Sequence, residues 1–154
     1  MLVELVKRNR CICLDSMVFI YFVQENEKYL PLLNPFFSQL AASRTIAITS
    51  YVTLIEVLVQ PLSKGQEKIA GQYRDILLNA ENLELFPVDR KIAETAAEIR
   101  SSYKCRTPDA IQLATAINHG ADVFITNDAM LKRYDKITVV VLDDLLPAGK
   151  SQLD

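Results

Sequence analysis

Four carboxylates dispersed along the chain, Asp15, Glu56, Asp109 and Asp128, each sit in a setting from which an α/β fold can bring them to one place. Asp15 ends the short apolar run Cys11-Ile12-Cys13-Leu14, and Asp128 follows Val123-Phe124-Ile125-Thr126-Asn127. Asp109 stands in Thr107-Pro108-Asp109-Ala110-Ile111, a helix opening, and Glu56 is the one acid in the apolar helical stretch 51–59. Carboxylates gathered at a cleft are ligands for hard cations, and Mg²⁺ held by acids drives much of phosphoryl chemistry. Three of the four also have a plainer use. Asp15 and Asp128 can cap the helices that follow them, and an acid behind Pro108 suits the first turn of a helix. Glu56 has no such use. Tyr51, Leu54, Ile55, Leu58 and Val59 make its helix apolar almost all round, which predicts burial. A buried carboxylate takes up a proton, pairs with a cation or holds a metal.

The elements that must position these acids alternate strand and helix. Short Ile- and Val-rich runs predict strands over 11–14, 45–49, 83–86, 122–126 and 137–142, as expected of strands buried on both faces. Helices are predicted over 16–23, 29–42, 50–60, 66–78, 89–103 and 108–119, with a short turn over 129–133. Pro31 and Pro35 are set to break the second of these, and Pro61 to Gly65 to separate the third from the fourth. The pattern predicts a single α/β domain over 1–154, a five-stranded parallel sheet flanked by helices on both faces. Ligands of such sheets bind beyond the carboxyl ends of the strands. Asp15 and Asp128 stand at such ends, Glu56 lies in the helix leaving the second strand, and Asp109 opens the helix that feeds the fourth.

Composition adds boundaries. The 154 residues carry a net charge of −2 and a pI near 5.5, which is not the footprint of a general nucleic-acid binder. The bases are nevertheless clustered: Arg100, Lys104 and Arg106 precede Asp109, and Lys132, Arg133 and Lys136 follow Asp128. They read either as solvated helix ends or as a rim that holds a phosphate backbone beside the acids. No apolar run reaches the ~18 residues of a membrane helix. The first residues carry an acid early and bases late, unlike a signal peptide, so a cytoplasmic address is expected. Cys11, Cys13 and Cys105 show no metal-finger spacing and read as structural thiols, and His119 as a dipole partner at a helix end.

With these residues in view, the chain resembles the PIN-domain nucleases, and among them the small single-domain toxins of toxin–antitoxin operons (the VapC type). The resemblance rests on Leu14-Asp15-Ser16 and on Glu56 within Ser50-Tyr51-Val52-Thr53-Leu54-Ile55-Glu56-Val57. It rests further on Pro108-Asp109-Ala110-Ile111-Gln112-Leu113-Ala114-Thr115-Ala116 and on Gly120-Ala121-Asp122-Val123-Phe124-Ile125-Thr126-Asn127-Asp128. It implies a metal-dependent endoribonuclease using Mg²⁺ or Mn²⁺. Asp15, Glu56, Asp109 and Asp128 match the family's acidic quartet, Ser16 and Thr126 its supporting hydroxyls, and Asn127 its Thr-Asn-Asp step. Asp15 and Asp109 are expected as direct ligands, Glu56 as a ligand or water-orienting group, and Asp128 as acting through water. The resemblance also implies an RNA substrate, a homodimer and an antitoxin. Helices 29–42 and 66–78 offer Phe36, Phe37, Leu40, Ile69, Tyr73, Ile76 and Leu77 as apolar candidates for core or partner. Two other readings stand beside it. One is a non-catalytic scaffold of the same fold. The other is a phosphoacceptor receiver domain with Asp89 as acceptor, although Asp143-Asp144 follows the fifth strand where that fold needs a Lys.

Overall fold

The computed structural model describes residues 1–148, so the last six positions of the expected domain, 149–154, lie outside it. Five strands, β1 (Cys11–Leu14), β2 (Ile46–Ser50), β3 (Leu83–Phe86), β4 (Val123–Thr126) and β5 (Thr138–Val141), form one sheet in the order β3-β2-β1-β4-β5. Every pairing is parallel. Side chains alternate between two apolar layers, as strands covered on both sides require. Ile12, Leu14, Ala47, Val123 and Ile125 enter one layer, while Cys13, Ile48 and Phe124 enter the other.

The first layer is closed by α1 (Leu2–Arg8), α2 (Ser16–Val23), α3 (Leu30–Ala41), α4 (Tyr51–Ser63) and α5 (Glu67–Asn79). The second is closed by α6 (Arg90–Ser102) and α7 (Thr107–Asn118). The chain thus winds outward from β1 through β2 to β3 with helices on one face. It then crosses to β4 on the other side of β1, with helices on the opposite face. That reversal opens a crevice at the carboxyl ends of β1 and β4. The strand order also separates the chain from receiver domains, which run 2-1-3-4-5. Asp89, the acceptor that reading needed, caps α6 by accepting the N–H of Ile92 at 2.9 Å.

Several expectations need correction. α1 has no counterpart in the sequence reading. Leu2 and Val6 bury one face of it, Glu4 and Lys7-Arg8 suit its two ends, and Thr45 donates to the carbonyl of Val6 at 2.6 Å. Pro31 and Pro35 do not break α3. Pro31 occupies the first turn, where a missing N–H costs nothing, and Pro35 is carried inside the helix. α4 likewise runs through Pro61 to Ser63. Its apolar surface is not all buried: Tyr51, Ile55, Val59 and Leu62 form a stripe along one exposed face. Among the earlier apolar candidates, Phe36, Leu40, Tyr73 and Leu77 lie in the core, while Phe37, Ile69 and Ile76 are only partly buried.

Cys13 is buried and Cys11 half-buried beneath the α6–α7 layer; Cys105 is half-buried. His119 ends α7 and stacks on Phe86, ring centroids 3.5 Å apart. Among the described residues no helix is long and apolar enough to cross a membrane.

Candidate active site

All four acids line one cavity of about 140 Å³ at the crevice, together with Ser16, Met17, Tyr21, Arg106, Thr126 and Asn127. Asp15 and Asp128 come from the ends of the adjacent strands β1 and β4. Glu56 descends from α4 on one face of the sheet, and Asp109 rises from the first turn of α7 on the other.

Asp15 is held on both oxygens. Its Oδ1 accepts the N–H of Ser16 at 2.8 Å as the cap of α2, and the Ser16 hydroxyl approaches the same atom at 3.5 Å. Its Oδ2 accepts the Thr126 hydroxyl at 2.7 Å. That hydroxyl in turn accepts the N–H of Asp128 at 3.1 Å, so one threonine at the end of β4 sets both strand-end acids. Asp128 caps the 3₁₀ turn Ala129–Arg133 through Oδ1, which accepts the N–H of Met130 at 2.9 Å. Capping and site position are therefore one arrangement, because each carboxylate oxygen has lone pairs to spare. Asn127 anchors the loop between them. Its amide donates to the hydroxyls of Tyr21 and Tyr29 at 3.1 and 2.9 Å, and its carbonyl accepts the N–H of Asp143 at 3.0 Å.

Asp15 and Asp109 are only 7% and 8% exposed, whereas Glu56, expected to be buried, is half-buried with one side open to the cavity. Burial pushes the Asp15 carboxyl above its ordinary range. The Thr126 and Ser16 bonds pull it back, and the charges of Asp109 and Asp128 add to the rise. Burial also raises Glu56, followed by the charge of Asp15; the Ser16 hydroxyl opposes this, Asp109 adds to it and Arg106 opposes it. Arg106 reaches Asp109 Oδ2 with its Nε at 3.4 Å and is, among the described residues, the one cation lining the cavity.

Beneath the acids lies a buried polar cluster that sequence reasoning missed. Thr49, at the end of β2, donates to the carbonyl of Leu14 at 2.8 Å and meets Thr53 of α4 at 2.7 Å. The Gln112 amide of α7 donates to the Thr53 hydroxyl, and its oxygen accepts the N–H of Ser50 at 3.3 Å. Thr53 precedes Glu56 by three residues, Gln112 follows Asp109 by three, and Leu14 precedes Asp15. The cluster therefore ties together the backbones that carry three of the acids. Only its pattern of polar residues at helical spacing from each acid could have flagged it. Gln112→Leu strands these hydroxyls. It is expected to cost about 1–3 kcal/mol, a fall in melting point of roughly 2–4 °C per kcal/mol. A thermal melt unchanged by the substitution would show that the amide carries no such load.

The basic residues are deployed unequally. Arg100 is committed to the loop before α7, donating to the Cys105 carbonyl at 3.1 Å and to Thr107 at 2.7 Å. Lys132 pairs with Asp144. Lys104 and Arg133 are exposed and form no ion pair among the described residues.

The donor set is all oxygen, which suits Mg²⁺ or Mn²⁺ rather than a soft metal. Among the described residues no group of three or more His, Cys, Asp or Glu side chains is placed to grip an ion by itself. The acids as they stand fit a hydrated ion, since Mg²⁺ keeps several waters and is typically bound by one or two carboxylates.

The same fold is found in solved structures of other proteins. No curated protein sequence matches the chain. It is similar in structure to a chain of a toxin–antitoxin complex from Klebsiella pneumoniae, with 24% identity and a TM-score of 0.61 over 85% of this chain and 97% of that one. It is also similar to a chain of VapBC2 from Rickettsia felis bound to a DNA fragment from their promoter, with 18% identity and a TM-score of 0.66 over 85% and 98%. A chain of VapBC-5 from Mycobacterium tuberculosis gives 24% identity and a TM-score of 0.55 over 86% and 97%. At these identities the likeness is one of fold. The family profile described as PIN domain matches residues 12–137, from inside β1 to just before β5, and so spans every acid of the cavity. A match over that share of the chain, with the fold it requires, means that the protein belongs to the PIN domain family.

Proposed function

We propose that the protein is a divalent-metal-dependent endoribonuclease and the toxin of a toxin–antitoxin pair. The observation that carries the reading is the convergence of Asp15, Glu56, Asp109 and Asp128 on one cavity of a PIN domain. In this reading Asp15 and Asp109 are ion ligands. Asp15 is pre-oriented by Ser16 and Thr126, so little ordering is left to binding. Glu56, half-buried with one side open to the cavity, is the group to accept a proton from the attacking water. The water oxygen bonds to phosphorus, its proton passes to the Glu56 carboxylate, and the bond to the leaving ribose oxygen breaks as that oxygen takes a proton from solvent. Arg106, at the cavity wall, steadies a non-bridging phosphate oxygen. When bound, the ion supplies electrostatic stabilisation of the charge that builds on phosphorus and the leaving oxygen. The test is cleavage of single-stranded RNA by the purified chain with Mn²⁺ or Mg²⁺ and with chelator. Cleavage that requires the ion supports the reading; a folded protein inert under both conditions overturns it in favour of a partner-binding scaffold.

The partner assignments extend the same proposal. An antitoxin helix is placed in the groove of about 300 Å³ where Phe22, Leu30 and Ile76 face one another. A second copy of the chain is placed on α4. Among the described residues, half of the eight exposed large hydrophobics, Tyr51, Ile55, Val59 and Leu62, fall on its one outward stripe. Replacing Ile55 and Val59 together by Glu is expected to convert a dimer into a folded monomer by light scattering at about tens of micromolar. A wild type that is already a strict monomer would remove the dimer.

A further inference from the structure

A second cavity, of about 270 Å³, is lined by chain neighbours of the residues that line the first. The two have no lining residue in common, but the same segments serve both. Cys105, in the second, immediately precedes Arg106 in the first; Leu113, in the second, follows Asp109 by one helical turn. Met130, at the mouth of the second, gives its N–H to the carboxylate of Asp128. The segments that present two of the acids therefore also form the slot.

The lining is of two kinds. The floor is apolar and rigid: Leu113, Leu131 and Tyr134 are buried, and Tyr103 packs edge-on to Tyr134 with centroids 5.0 Å apart. The Tyr103 hydroxyl is fixed by Asp135 at 2.6 Å. Across the mouth lies Met130, 58% exposed, an adaptable thioether that tolerates flat apolar guests. Lys104 and Arg133 stand at the rim, both exposed and free of acidic partners among the described residues. Among the described residues the Arg133 side chain makes one hydrogen bond, to the sulfur of Met130 at 3.9 Å. An apolar, aromatic-edged slot with unneutralised cations at its lip matches an unpaired base joined to its phosphates. An apolar peptide side chain would have no use for the cations, and an acidic one none for the floor.

We propose that this cavity is a nucleobase subsite that takes an unpaired base flanking the scissile phosphate, with Lys104 and Arg133 holding the adjoining phosphates. The assignment rests on the nuclease reading and deepens it. It makes the chain selective for single-stranded RNA and selective at one position along it, because a paired base cannot leave its stack to enter.

Two measurements test it. In the first, short single-stranded RNAs carrying one 4-thiouridine at successive positions are photocrosslinked to the full chain in chelator, where no cleavage occurs, and the adducts are mapped by mass spectrometry. The proposal expects adducts at Tyr103, Met130 or Tyr134 from one position of the RNA; adducts confined to other surfaces overturn it. In the second, RNA affinity is measured against salt for wild type and for Lys104→Gln with Arg133→Gln. Each lost phosphate contact flattens the log–log slope by about 0.7 for a single strand, so a change of about 1.4 is expected. An unchanged slope overturns the proposal, as does a shift in oligomeric state with unchanged RNA binding, which would mean that a second copy fills the slot. Both measurements read binding alone. A chain that fails to cleave RNA but crosslinks here refutes the nuclease and keeps the subsite; a chain that cleaves with adducts elsewhere does the reverse.

Discussion

Asp109→Asn is expected to leave a folded protein whose ion-dependent RNA cleavage falls by roughly 10²–10⁴-fold, the scale of losing one group that acts on the reacting atoms. Asp15→Asn should behave alike. The substitutions are nearly isosteric, and the structure explains why the fold should tolerate them. Asn at 15 can still cap α2 by accepting the N–H of Ser16 on its one side-chain oxygen, while its amide faces the Thr126 hydroxyl, which can turn to accept from it. Asn at 109 keeps its place in the first turn of α7 and loses only the long contact to Arg106. What both lose is charge at the cavity, where an ion would be held. The check is a cleavage rate beside a thermal melt for each variant. Retained cleavage by a folded Asp109→Asn protein would reject its role as ligand.

The second large effect is on stability. Four carboxylates around one cavity repel one another; a pair about 5–6 Å apart costs roughly 3 kcal/mol at an effective dielectric of about 20. A bound ion relieves that repulsion. At an ion concentration near 100 times its Kd, the folded state gains about 2.7 kcal/mol. With about 2–4 °C per kcal/mol for a chain of this size, saturating Mn²⁺ is expected to raise the melting point by roughly 5–10 °C. Asp15→Asn with Asp109→Asn should melt higher than wild type without metal and ignore Mn²⁺. A wild type indifferent to the ion, or a double variant equally responsive, would remove the metal site. The pH dependence has a definite sign. Asp15 and Glu56 are raised above their ordinary values of 3.8 and 4.5 in the folded chain. Their contribution to stability is therefore fully present below those values and is lost as pH rises through the raised ones. In metal-free melts, the advantage of Asp15→Asn over wild type should grow across that window and then level off.

The fold was legible because its determinants are local. Apolar runs such as Val123-Phe124-Ile125 name buried strands, and residues such as Asp89 and Gly120 mark where helices start and stop. Gathering the four acids needed only the rule that parallel sheets work at their carboxyl ends. What escaped was non-local. α1 is short, and its packing on the body is invisible without α3 and Thr45. Apolarity predicted burial for α4, yet the sequence could not say which flank of the helix the core would occupy, and four large side chains remain outside. The Thr49–Thr53–Gln112 cluster joins three elements through hydroxyl and amide groups that look like ordinary polar positions in each segment. Arg100 and Lys132, read as rim cations, prove to be engaged with the protein itself, which depends on a loop and a 3₁₀ turn whose shapes no periodicity encodes.

The order of the strands has a consequence for the chain as it is being made. β1 is followed in the chain by its neighbour β2, but the other neighbour of β1 is β4, which is synthesised only after β2 and β3. Thr126, which orients Asp15, arrives with β4, and Asn127, the next residue, waits for the backbone of Asp143. A ribosome-bound fragment therefore exposes three of the acids long before the crevice that unites them exists. The crevice therefore waits on the pairing of β1 with β4, a contact made across 111 residues of chain between Asp15 and Thr126, and its assembly is a late, non-local event of folding.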